Sequence, residues 1–346
     1  MKYTRVQIES LGYELAPVVV SSEELEERLA SLYKERGMPI GQLESLTGIG
    51  ERRWWEEGTP LSQGAAAAGR KAIANSNVTP DDIDTVIYAG VNRENFEPAT
   101  ACHVASKIGI KGAKSIYDIS NACLGVLNGI FEIANQIELG QIRAGLVVSC
   151  ETAREINDIM IERMLEDTSM EMYAKSVATL TGGSGAAAVL LTDGSFGSEG
   201  HKLLGGVIHA APKHHELCYW GLSPEEGNDV RQLMVTDAVS VLKHGVELGA
   251  ETWQGLLQEL NWSADNVDKV ICHQVGKANR DTILGTIGIS QDKDYSSFEY
   301  LGNMGTVSVP LTAALADERG FLEKGEQVAF LGIGSGLNCM MLGFEW

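Results

Sequence analysis

Two stretches far apart in the chain decide the fold. Residues 81–87 read DDIDTVI and residues 265–271 read DNVDKVI, so each runs from a polar turn into an apolar strand. Two further matches follow in the same order, ELG at 138–140 with EKG at 323–325, and SG at 184–185 with SG at 335–336. One match could arise by chance, but three in register indicate a duplicated α/β unit with a join near residues 194–202.

The duplication predicts two domains. Residues 1–195 form the N-terminal half and residues 196–346 form the C-terminal half. The first half contains an insertion at about residues 152–180, with apolar residues at helical spacing: Ile156, Ile159, Met160 and Met164. Flexible methionine suits both a helix at a dimer interface and the wall of an apolar substrate channel, so both interpretations remain open.

Strand-like apolar segments alternate with helical patterns along the chain, which predicts an α/β fold. The clearest candidate strands are residues 85–88, 145–149, 186–191, 269–272 and 328–332. No Pro/Ser-rich linker separates the two halves, so we expect them to pack closely.

Composition excludes several classes of function. The 47 acidic and 27 basic residues give a net charge of -20, which disfavours nucleic acid as a partner. No apolar run approaches the roughly 20 residues of a membrane helix, and the first 13 residues lack the apolar core of a signal peptide. We therefore expect a cytoplasmic protein without membrane insertion. The six cysteines are scattered and include no C-x-x-C pair, so neither a disulfide framework nor a metal site is predicted.

Cys123 is the candidate nucleophile. It lies between a predicted strand, residues 115–119, and a helical pattern at residues 124–139. The positive end of a helix dipole favours the thiolate, so this position predicts a reactive cysteine. A single free cysteine is more often a buried, inert residue, and the assignment depends on its partners.

Two polar residues in the second half are the candidate partners. His273 follows the predicted strand at 269–272, and open α/β sheets place their sites at the carboxyl ends of strands. Asn303 lies between glycines in the stretch LGNMG at 301–305, where a turn is the simpler explanation. Together with Cys123 they provide a nucleophile and two hydrogen-bond donors that could stabilise a thioester enolate.

The motifs NAC at 121–123, CHQ at 272–274 and GN at 302–303 resemble, in order and spacing, the Cys-His-Asn triad of β-ketoacyl carrier-protein synthase III and its thiolase-superfamily relatives. Within that superfamily the chain looks closest to the OleA-type enzymes, which condense two long-chain acyl-CoAs head to head. The closer match rests on three stretches: EPATA at 97–101, LGNMGTVS at 301–308 and LGIGSGLNC at 331–339.

The resemblance implies a homodimer of duplicated α/β subunits with five layers, α-β-α-β-α. Glu97 would enter the partner subunit's site as the base that deprotonates the α-carbon; a solvated loop carboxylate is the alternative, and the PATA stretch at 98–101 favours the catalytic role. The backbone N–H groups of Cys123 and Ser335 would form an oxyanion hole. In typical synthase III sequences a Trp and an Arg grip the coenzyme adenine, whereas Gln42 and Leu46 occupy those positions here. Coenzyme contacts are therefore not transferred.

The resemblance also implies the reaction, a Claisen condensation without obligatory decarboxylation. Two acyl-CoAs, or acyl groups from a carrier protein, would give a β-keto acid or thioester through an acyl-cysteine, and no metal or redox cofactor would be needed. An olefin pathway is implied in the same way. Two alternatives remain: a decarboxylative synthase III that uses malonyl carrier protein, and a cysteine thioester hydrolase. The glycine-rich stretch 332–336 is not a nicotinamide loop, because only ten residues follow it.

Overall fold

The computed structural model describes residues 1–224 and 230–346, and these form a mixed α/β fold. Its strands are β1 (Gln7–Leu15), β2 (Val18–Ser21), β3 (Glu51–Trp54), β4 (Thr85–Ala89), β5 (Ser115–Ile119), β6 (Ala144–Glu151), β7 (Gly185–Thr192), β8 (His201–Ala210), β9 (Cys218–Pro224), β10 (Val230–Thr236), β11 (Lys269–Cys272), β12 (Gln327–Gly334) and β13 (Asn338–Glu345). Its helices are α1 (Ser22–Arg28), α2 (Ala30–Arg36), α3 (Gln42–Thr47), α4 (Leu61–Ala74), α5 (Thr100–Ile108), α6 (Gly125–Glu138), α7 (Arg154–Glu166), α8 (Met170–Ser176), α9 (Ala238–Leu260), α10 (Lys277–Ile287), α11 (Phe298–Leu301) and α12 (Ser308–Glu318).

The main sheet repeats one strand pattern on either side of its centre. Its order is β11-β12-β13-β8-β1-β7-β6-β4-β5 across the described ranges. In the first half β4 is parallel to β6, and β6 and β1 are both antiparallel to β7. In the second half β11 is parallel to β12, and β12 and β8 are both antiparallel to β13. The two half-sheets meet where β1 pairs with β8 over only two residue pairs.

Helices fill three layers around these half-sheets. One core packs α4 and α5 against the outer face of the first half, and another packs α9 and α10 against the second half. Between the half-sheets, a core built on α6 and α12 includes strand residues from both, such as Val147 and Phe330. This arrangement is α-β-α-β-α, so the five-layered thiolase-like fold class predicted from the sequence is confirmed.

Glycine allows the central helix α6 to approach both half-sheets closely. A Cβ added to Gly332 of β12 would lie 2.4 Å from Leu127 Cδ1, and one added to Gly145 of β6 would lie 2.7 Å from Ile133 Cγ2. Side chains at these strand positions would push α6 away from the sheets. Since α6 begins just after Cys123, this packing also fixes the position of the candidate nucleophile.

All five candidate strands are present, and each agrees with the structure to within two residues at either end. The predicted join at 194–202 lies mainly in the connection from β7 to β8. The domain boundary at residue 195 stays a prediction. The sequence analysis did not identify the central strands β1 and β8 or the β9–β10 hairpin.

The insertion forms α7 and α8, as its helical spacing predicts. Met160 and Met164 are fully buried within the chain. Met164 packs in a small core with Leu32 and Tyr33 of α2, while Met160 Sδ accepts the Met234 N–H of β10 at 3.4 Å. These two methionines therefore stabilise a cap over the first half. Neither a dimer interface nor a substrate channel follows from their positions.

Within residues 1–224 and 230–346, no helix combines the length and apolar character that crossing a bilayer requires.

Candidate active site

Cys123 lies on a sharp turn between β5 and α6. The residue before it, Ala122, has a φ of 43°, a left-handed conformation that a residue with a side chain adopts only under local constraint. On the other side Leu124 forms the N-cap of α6, so the sulfur lies close to the start of that helix. The turn leaves Cys123 partly exposed, whereas Cys150, Cys272 and Cys339 are buried in the interior.

Both halves of the chain hold this turn in place. The Val126 N–H in the first turn of α6 donates to Thr306 Oγ1 at 2.7 Å. On the opposite side, a Cβ built on Gly334 at the end of β12 would lie 3.4 Å from the Cys123 nitrogen. The candidate nucleophile thus lies where the carboxyl end of β5 meets segments of the second half.

His273 directly follows β11, and its backbone N–H donates to the Leu331 carbonyl of β12 at 2.8 Å. Its neighbour Gln274 is buried and accepts the N–H groups of Ser297 and Phe298 at 2.8 and 3.1 Å. Those two residues begin α11, which leads to Asn303. Gln274 therefore links the positions of the two predicted polar partners. Among the described residues, His273 Nδ1 is a buried ring nitrogen without a hydrogen-bond partner.

Asn303 is oriented by the turn around it. Gly302 has a φ of 68°, and an added Cβ would lie 2.5 Å from the Thr181 carbonyl oxygen, so only glycine fits there. The Asn303 side-chain oxygen accepts the Gly305 N–H at 3.0 Å. With its oxygen engaged, the amide NH₂ of Asn303 is the end of the side chain available to a substrate.

Ser335 lies in the tight turn between β12 and β13. Asn338 Nδ2 donates to the Ser335 carbonyl at 3.4 Å and to Asn121 Oδ1 at 3.3 Å, and Asn121 is two residues before Cys123. This bridge ties the two turns together. The structure therefore brings the turns of Cys123 and Ser335 together and places His273 and Asn303 at the same edge of the fold.

Burial sets the charge state of the site. The pKa of the Cys123 thiol is raised to about 12. Burial is the main cause, and the nearby Cys218 and Glu151 act in the same direction. Burial also lowers the pKa of His273 to about 4. Desolvation thus acts against the expectation that the helix dipole makes Cys123 a thiolate, because it disfavours the charged form. These pKa shifts favour the neutral thiol of Cys123 and the neutral imidazole of His273 at neutral pH.

Glu97 lies apart from this buried group. It is on the exposed part of the loop between β4 and α5, next to Phe96, whose relative exposure is 105%. The loop is fixed at its far end, where the Thr100 and Ala101 N–H groups donate to Asp118 at 2.8 and 2.9 Å. The single chain thus exposes Glu97 on an anchored loop.

Sequence analysis missed one residue of this region, Glu151. Its carboxyl group is at the end of β6 and only 4% exposed, and burial raises its pKa to about 7. It accepts the Val91 N–H at 2.9 Å and the Asn92 N–H at 3.4 Å. A signal was present in the sequence, since Glu151 directly ends the apolar strand AGLVVSC, where a carboxylate requires a partner or a function.

A partly exposed cysteine on a strand-to-helix turn, together with a histidine and an asparagine on turns of the second half of this fold, fits a condensing acyltransferase of the thiolase superfamily. Family models agree: residues 45–183 match "Thiolase, N-terminal domain" and residues 257–346 match "3-Oxoacyl-[acyl-carrier-protein (ACP)] synthase III C terminal".

Curated relatives define the family more narrowly. The acyl-CoA:acyl-CoA alkyltransferase of Shewanella oneidensis is 57% identical over 100% of both chains, and that of Xanthomonas campestris is 34% identical over 100% of both. A solved structure of a cysteine-to-serine variant of Xanthomonas campestris OleA with bound lauric acid and lauroyl-CoA has a TM-score of 0.92 and 33% identity, covering 99% of this chain and 100% of that one. The chain belongs to the acyl-CoA:acyl-CoA alkyltransferase family.

Proposed function

We propose that the protein catalyses a head-to-head Claisen condensation of two acyl-CoAs, with long acyl chains as the preferred class. The observation that carries the proposal is the 57% identity over the whole length of a named acyl-CoA:acyl-CoA alkyltransferase. The partly exposed Cys123 on its strained turn gives that activity a nucleophile.

The first half-reaction loads Cys123. The sulfur attacks the carbonyl carbon of one acyl-CoA, the C–S bond to CoA breaks, and the thiol proton leaves with CoA. The N–H groups of Cys123 and Ser335 stabilise the oxyanion, because the bridge through Asn338 holds the two turns together. With its thiol pKa near 12, Cys123 needs a base as the bond forms, and the neutral His273 can act as that base.

The second half-reaction joins the two acyl groups. Glu97 removes the α-proton of a second acyl-CoA, and the carbanion attacks the acyl-cysteine carbonyl and frees the Cys123 sulfur. The Asn303 amide and the His273 imidazole stabilise the enolate oxygen as donors, since the Asn303 oxygen is already engaged by Gly305. The product is a β-keto thioester, or a β-keto acid after hydrolysis. No step requires a metal or redox cofactor.

The proposal includes a homodimer in which Glu97 acts in the partner subunit's site. An apolar side chain as exposed as Phe96, beside a carboxylate that must work in a desolvated site, fits a loop that is covered by a second subunit. Strand β5 is at the edge of the main sheet, and all five of its residues are partly buried. The proposal keeps the cytoplasmic location predicted from the sequence.

The decisive test supplies a long-chain acyl-CoA alone and follows CoA release and lipid products by mass spectrometry. We expect a β-keto product, with two CoA released per β-keto acid or one per β-keto thioester. Free fatty acid as the only product would replace the proposal with a thioester hydrolase. Condensation only when malonyl carrier protein is added would replace it with a decarboxylative synthase.

A further inference from the structure

Glu151 lies between the two loops that the condensation step requires. One carboxyl oxygen accepts the Val91 N–H and the other accepts the Asn92 N–H, and these residues begin the loop that ends in Glu97. On its other side Glu151 packs against the Asn303 turn, where a Cβ built on Gly305 would lie 3.6 Å from Glu151 Cγ. The same Gly305 provides the N–H that orients the Asn303 side chain.

A second anchor holds the same loop. The Tyr88 hydroxyl is within hydrogen-bond distance of the Asn92 carbonyl at 3.0 Å and of the Cys150 carbonyl at 2.7 Å. Further along, the Glu94 N–H donates to Thr100 Oγ1 at 3.2 Å, and Glu94 accepts the Ser62 N–H at 2.8 Å. Within residues 95–98 one side-chain contact is present, between Asn95 Nδ2 and His103 Nε2 at 3.4 Å, so the bonds at Val91 and Asn92 are among the contacts that set the direction in which the exposed tip leaves the subunit.

We propose that Glu151 is a positioning residue of the condensation step. It fixes the Glu97 loop relative to the Asn303 turn through its two backbone hydrogen bonds and its contact with Gly305. This inference rests on the proposed function, because the Glu97 loop has a chemical role only if a second acyl-CoA is deprotonated. Among the described residues no cation contributes to the pKa of this carboxyl group, which burial raises to about 7. An isolated buried carboxyl group is costly to a fold, which is consistent with a role beyond stability.

Separate measurement of the two half-reactions in the whole chain tests the inference. Glu151→Gln preserves the size of the side chain but replaces one acceptor oxygen with an NH₂ that cannot accept the second N–H. Acyl-enzyme formation, measured as CoA release in a single turnover and as intact mass, should not become slower, because the neutral replacement removes the Glu151 charge that raises the pKa of Cys123. Reaction of the preformed acyl-enzyme with a second acyl-CoA should slow about 10- to 100-fold, since small misplacements of reacting groups have effects of that size.

An isotope effect distinguishes positioning from a general structural defect. With an α,α-dideuterated second acyl-CoA, the condensation rate of Glu151→Gln should show a larger primary isotope effect than the parent, because proton removal has become slower. Glu9→Gln is the matched control: Glu9 is also a buried carboxylate, but it bonds Thr192 within the central sheet at 2.8 Å. It should leave both half-reactions and the isotope effect unchanged.

If Glu151→Gln does not fold, Tyr88→Phe provides the same test, since it removes the second anchor on Asn92 and should slow condensation about three- to tenfold with acylation retained. Equal slowing of both half-reactions, or unchanged condensation in a folded variant, would overturn the positioning role. Failure of the parent protein to form any β-keto product would instead remove the proposed function itself, so the two failures are distinguishable.

Discussion

The turn of Cys123 and the loop of Glu97 differ in how completely a single chain builds their surroundings. Cys123 is held by contacts from both halves, including Thr306 and Gly334, and is only partly exposed. The Glu97 loop is anchored at both ends, yet its tip is exposed. Under the proposed function, one chain contains the groups proposed for acylation, whereas the proposed base Glu97 would act where a second subunit covers its loop.

Removal of the nucleophile should have the largest effect. Cys123→Ala should abolish acyl-enzyme formation and CoA release, because no other group in the proposed site can form the thioester. Intact-protein mass spectrometry after incubation with an acyl-CoA measures the adduct. Cys218→Ala is the matched control, since Cys218 is close enough to raise the pKa of Cys123 but has no proposed role. An acyl adduct on the Cys123→Ala variant would contradict the assignment.

Removal of the base should affect only the second half-reaction. Glu97→Ala should form the acyl-enzyme at a normal rate but lose condensation by about 10²- to 10⁴-fold, the usual contribution of a general base. Single-turnover kinetics with preformed acyl-enzyme measures this loss. An unchanged yield of β-keto product would remove Glu97 from the mechanism.

A mixed dimer tests whether Glu97 acts across subunits. A purified heterodimer of one Cys123→Ala subunit and one Glu97→Ala subunit should regain about half of the parent activity, because one site then has both groups. If Glu97 acts within its own chain, the heterodimer has no complete site and stays inactive. The two homodimeric variants, treated in the same way, are the controls.

Alkylation of Cys123 should depend on pH through the ionisation of its thiol. A thiol whose pKa is raised to about 12 is almost fully protonated below pH 10, and its thiolate fraction increases tenfold for each pH unit. The alkylation rate of the Cys123 peptide, measured by mass spectrometry in substrate-free protein, should therefore rise about tenfold per unit from pH 7 to 10 without a plateau. A plateau below pH 8 would show that the helix dipole outweighs burial after all.

Several parts of the protein could be predicted from local patterns. β4, β6, β7, β11 and β12 are apolar runs bounded by polar turns, and α6 begins where the helical pattern begins. The sequence analysis did not predict β1, because residues 7–15 mix polar and apolar types. In the structure β1 lies at the centre of the main sheet. Its strand structure is stabilised by pairing with β7 and not by its own composition.

The sequence by itself determined the α/β class and the duplicated order of strands, and it predicted Cys123, His273 and Asn303 as site residues, because each depends on residue type and spacing along the chain. Only the tertiary structure decided the ionisation of Cys123 and His273 and the importance of Glu151. Those properties depend on burial and on neighbours that are distant in sequence, such as Val91 and Gly305 around Glu151. Desolvation is a property of the folded environment, so no motif contains it.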